Sequence, residues 1–99
     1  MVIVGMMSYP PESSKEAGKR FLKQPSLPDY IKMKGPYISA VIGGGIQTLT
    51  IYECERSKLT DAMEFISNRY VAYFGVPGLT YTVHVWMDVA EALKMIGLA

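Results

Sequence analysis

A chain of 99 residues that is 49% hydrophobic and 19% charged, with a net charge of +1, is expected to form one domain, residues 1–99, around a single core. So even a charge balance gives no field to draw in nucleic acid, and no run approaches the roughly 18 to 20 apolar residues that cross a bilayer, so neither nucleic acid nor membrane is expected as a partner. Cys54 is the only cysteine, which excludes an internal disulfide and a cysteine-based metal cluster and fits a reducing, cytoplasmic setting.

Val2, Ile3 and Val4 favour an extended backbone, and Pro10-Pro11 stops it, so Met1 to Ser8 reads as a first strand rather than a signal peptide. Ser13 and Glu16 have capping-box spacing ahead of a helix in which Ala17, Phe21 and Leu22 share one side and Lys15, Lys19 and Lys23 the other. Gly18 inside that helix is read as a point of close approach to a sheet.

Gln24 to Pro36 carries three prolines among polar residues and reads as a loop. Tyr37 to Ile42 and Ile46 to Glu53 are β-rich runs on either side of Gly43-Gly44-Gly45. Glycine supplies the positive φ that tight hairpins need, so these are strands two and three.

After Ser57 a long apolar stripe of Leu59, Ala62, Met63, Ile66, Tyr70, Tyr73 and Phe74 predicts a second helix lying on the sheet. Gly75 ends it, Val76-Pro77-Gly78 has the order of a type II turn, and Leu79 to Met87 follows as strand four. Asp88 and Glu91 repeat the capping spacing before a short C-terminal helix.

The plan is α+β, a βαββαβ order with a four-stranded antiparallel sheet and both long helices on one face. Strand four alternates Tyr81, Val83 and Val85 with Thr80, Thr82, His84 and Trp86, and strand three sets Leu49 and Ile51 against Thr48, Thr50 and Tyr52. The mixed rows are assigned to a common second face, too apolar for open water and too polar for a dry core. A second copy packed sheet to sheet would shelter it, which predicts a homodimer or an oligomer of dimers.

In its order of elements, its Gly43-Gly44-Gly45 hairpin, the Tyr70…Tyr73-Phe74 helix end and the Val76-Pro77-Gly78 approach to the last strand, the chain resembles the dimeric α+β barrel superfamily of ferredoxin-like folds. That superfamily includes cofactor-free monooxygenases, isomerases, haem-dependent members and ligand-sensing domains. The resemblance implies a dimer and, where there is catalysis, cofactor-free oxygenation or isomerisation.

His84, the only histidine, is the candidate catalytic residue because imidazole titrates near neutrality; a structural strand histidine is the alternative. Trp86, Tyr52, Thr48, Thr50 and Thr82 are the candidate ligand-binding residues, an aromatic wall ringed by hydroxyls that suits a small aromatic or amphipathic molecule. The competing reading makes the same residues a plain subunit interface of an assembly or regulatory module. No metal is expected: Glu53 and Glu55 flank Cys54 without further ligands nearby, and the triple glycine matches no phosphate-binding motif.

Overall fold

The computed structural model describes residues 1–98. Its strands are β1 (Val2–Tyr9), β2 (Lys32–Val41), β3 (Gly45–Glu53) and β4 (Thr80–Trp86), and its α-helices are α1 (Ser14–Leu22), α2 (Leu59–Val71) and α3 (Val89–Met95). All neighbouring strands are antiparallel, in the order β2-β3-β1-β4. This α+β arrangement is consistent with a ferredoxin-like fold. No helix among the described residues is long and apolar enough to cross a membrane.

The hairpin closes where glycine was expected to close it: Gly44 N–H donates to the Val41 carbonyl at 3.0 Å, and Gly43 and Gly45 take positive φ. Val76 to Leu79 forms its turn through a Leu79 N–H to Val76 carbonyl bond of 3.2 Å, with Gly78 at φ 73. At α3 the Asp88 carboxylate accepts from Glu91 N–H at 2.8 Å, and the Glu91 side chain takes the Asp88 N–H, a complete capping box.

The other predicted capping box does not form. Ser13 lies in a short 3-10 turn, and its buried hydroxyl donates to the Pro77 carbonyl at 2.6 Å, while Glu16 pairs with Arg20 at 2.9 Å. Strand β2 begins at Lys32, five residues before the sequence suggests, and runs through Pro36. An irregularity between Lys34 and Tyr37 interrupts its register at the sheet edge, where proline's missing N–H costs no ladder bond.

Register decides the faces. Across β3-β1-β4, Tyr52 stands opposite Ile3 and Ile3 opposite Val85; Thr50, Gly5 and Val83 form the next row, and Thr48, Met7 and Tyr81 the one after. Residues directly opposite one another project to the same side. This side is the one the helices cover, for Ile3 and Tyr52 join Ala62, Ile66 and Tyr70 of α2, with Ile31, in the core. The alternate rows, Glu53-Val2-Trp86, Ile51-Val4-His84 and Leu49-Met6-Thr82, make the opposite face.

The assignment of Thr48, Thr50 and Tyr52 to one face with Thr82, His84 and Trp86 is therefore corrected: the sheet separates them. Leu49 and Ile51 are the residues that share the open face with His84. Phe74 also departs from the expected stripe, lying beyond the end of α2 and 62% exposed.

Candidate functional site

Two tyrosines set the floor of the helix-covered side. Tyr70 reaches from α2 across the sheet so closely that its hydroxyl occupies the place a side chain at Gly5 would need. Only glycine leaves that space in mid-strand. The Tyr70 ring stacks on Tyr81 at 5.3 Å between centroids, and its hydroxyl lies 3.4 Å from that of Tyr52.

Burial pushes the Tyr70 hydroxyl pKa upward, and the neighbouring Tyr52 adds to the shift while Thr50 opposes it. Tyr73 is raised for the same first reason, with Gln24 and Arg69 pulling the other way. Both phenols therefore stay protonated at neutral pH and are not bases.

Helix α1 is fastened to the chain around the C-terminal end of α2 by polar bonds. Arg20 Nη1 donates to the Ala72 and Phe74 carbonyls at 2.9 and 2.7 Å, and Gln24 Nε2 to the Arg69 carbonyl at 2.7 Å. A side chain at Gly18 would meet nothing within 4 Å, which corrects its reading as a point of close approach.

The gap beneath α1 is a pocket of about 140 Å3. Thr48, Thr50 and Tyr52 line it from the sheet, Tyr9, Tyr70 and Tyr73 add phenols, and Met7, Met33, Phe21 and Ile38 add apolar wall. Gln24 and Arg69 close one side. Three of the six candidate residues thus meet in one pocket, although not with the partners expected for them.

Arg69 is 7% exposed. Its Nη1 donates to the Pro25 carbonyl at 3.0 Å, its Nε is sealed from solvent without an acceptor, and no carboxylate pairs with it among the described residues. The sequence held a signal for it, because position 69 falls on the buried stripe 62, 66, 69, 70, 73, where an unpaired cation is out of place.

His84, Trp86 and Thr82 lie on the opposite face, all exposed, with Trp86 at 57%. Beside them Val2, Val4, Leu49 and Ile51 are half-buried and Met6 is open. At the strand end, Glu53 pairs with Lys34 at 3.0 Å, and no group of three metal-ligating side chains exists among the described residues. Burial raises the Cys54 thiol pKa, which lowers its thiolate fraction.

No family model matches this chain, and neither the curated proteins nor the solved structures contain a match to it.

Proposed function

We propose that this chain is a homodimeric binder of a small organic molecule, with the ferredoxin-like architecture of a dimeric α+β barrel. The observation that carries the reading is the pocket of about 140 Å3 under α1, into which Thr48, Thr50 and Tyr52 face. Mutual packing would be expected to fill an equivalent gap in a domain that only assembles, because protein interiors pack as densely as organic crystals.

The chemistry favours binding over turnover. The walls carry hydroxyls, one amide and one guanidinium, but no carboxylate, imidazole, amine or thiol that would take a proton. His84, expected as the proton carrier, is on the other side of the sheet and does not serve this pocket.

The dimer rests on a different surface. The open face presents Val2, Val4, Met6, Leu49 and Ile51 on β1 and β3, flanked on β4 by Trp86, His84 and Thr82 in successive rows. A contiguous apolar centre of this kind favours sheet-to-sheet packing of two copies. Covering each indole would contribute about 2 kcal/mol before the cost of association is subtracted. The same face supports the alternative, a non-catalytic assembly or regulatory module, since it exists independently of the pocket. One unpaired thiol suits a reducing compartment such as the cytoplasm.

A backbone-amide NMR titration with single-ring aromatic compounds tests the proposal. Saturable shifts concentrated at Thr48, Thr50, Tyr52 and Tyr73 are expected. A panel that moves none of these resonances at millimolar concentration removes the ligand-binding reading and leaves the assembly module.

A further inference from the structure

Resting on the pocket reading above, we infer that the ligand is a small organic acid: one anionic group held at Arg69, on an apolar body no larger than a single ring. The guanidinium offers five N–H donors, and the Pro25 carbonyl is the only acceptor it meets among the described residues. A buried cation left this way carries a desolvation cost that an acceptor in the pocket would offset, and a carboxylate matches its planar fork best.

The rest of the pocket agrees in sign. Tyr70 and Tyr73 are phenols held protonated, so neither brings negative charge, and no acidic side chain lines the walls to repel an anion. On the outer side of Arg69 a second cleft is lined by Arg20 and Lys23, again with no carboxylate on its walls. Glu16 spends its charge on Arg20. Lys23 and Arg69 then remain as charges on that cleft without a carboxylate partner among the described residues, and both attract an anion.

Size sets the body of the ligand. A cavity of about 150 Å3 accommodates benzene, and this pocket holds about 140 Å3. The Met7, Met33 and Phe21 side of the pocket receives the ring, and the Arg69 side receives the charge.

Benzoate, benzamide and benzyl alcohol, the last two neutral and of similar shape, are the probes. By NMR titration at neutral pH, benzoate should bind the unmodified protein about tenfold or more tightly than benzamide, with a shift of the Arg69 Nε–H resonance as the local signature. Arg69→Gln should bring the ratio of benzoate to benzamide affinity down to about one. If that variant does not fold, the comparison of the two probes on the unmodified protein decides alone. Equal affinity for benzoate and benzamide at the Thr48 and Thr50 resonances overturns the anionic ligand and leaves the pocket reading standing. Failure of all three probes to move those resonances, or benzoate shifts confined to Lys15, Lys19 and Lys23, overturns both.

Discussion

The covered and the open face of the sheet are built from alternate residues of the same strands, and they hide apolar surface in different ways. On the covered face Tyr70 lies against Gly5 and the α2 stripe closes over Ile3 and Tyr52. Under α1 the same face keeps a pocket, and polar bonds at that helix's C-terminal end and at Ser13 tie it to the chain after α2. The opposite face carries Val4, Ile51 and Trp86 with no cover from α1 or α2. One side of the sheet therefore supplies the fold and a pocket in the same layer, and the other carries an apolar surface that α1 and α2 leave uncovered.

Filling the tightest point of the covered face should have the largest effect. Gly5→Ala places a methyl where the Tyr70 hydroxyl lies, so either α2 lifts or β1 shifts. Overpacking of this kind should cost about 3 kcal/mol, read as a lower denaturant midpoint in equilibrium unfolding. A loss below about 0.5 kcal/mol would mean that Tyr70 has room to move, and that the covered face is looser than its stacking on Tyr81 indicates.

Alternation within each strand was legible, as were the hairpin glycines, the Val76-Pro77-Gly78 turn and the Asp88 capping box, because each is decided by residues a few positions apart. The phase between β3 and β4 was not legible. These strands never touch; each takes its register from β1, so the parity that joins Thr50 to Val83, and not to Thr82 or His84, is set through a third strand and its turns. A one-residue error in that parity moves a whole row to the other face. The chemistry of Tyr52, Thr48 and Thr50 makes them candidates, and they line the pocket, but for that reason the strand pattern sets them beside the wrong neighbours. Gly5 and Arg69 show their roles only once Tyr70 and Pro25 are brought to them from distant parts of the chain.

A charge on the open face should act on association and leave the covered face alone. Trp86→Glu is expected to weaken the proposed dimer by about 2 kcal/mol for each indole removed, a shift toward monomer in sedimentation velocity. Thermal unfolding of the dilute monomer should barely change, since Trp86 is outside the core. An unmodified protein that stays monomeric at high concentration would sink the dimer and leave the pocket untouched.

Alkaline pH separates the faces by a different route. Tyr70 and Tyr73 have folded-state pKa values above the ordinary value of 10.0. Above pH 10 the unfolded chain releases these protons and the folded chain keeps them, so stability is fully present below about pH 10 and declines as pH rises through the folded-state pKa values. Each such tyrosine adds up to about 1.4 kcal/mol per pH unit to the slope. Tyr70→Phe should cost about 1 kcal/mol at neutral pH through the lost Tyr52 contact, and should flatten the alkaline fall measured by urea unfolding between pH 9 and 12.

The smallest effect has the opposite sign. Gly18 sits in the interior of α1 and borders the pocket, and a methyl added there finds open space. Gly18→Ala then removes backbone freedom from the unfolded chain without a clash, and should stabilise the fold by about 0.5 to 1 kcal/mol. Had α1 been pressed onto the sheet as α2 is at Gly5, the same substitution would destabilise. The sign of one alanine, read beside Gly5→Ala in the same unfolding assay, thus reports which of the two helices leaves room beneath it.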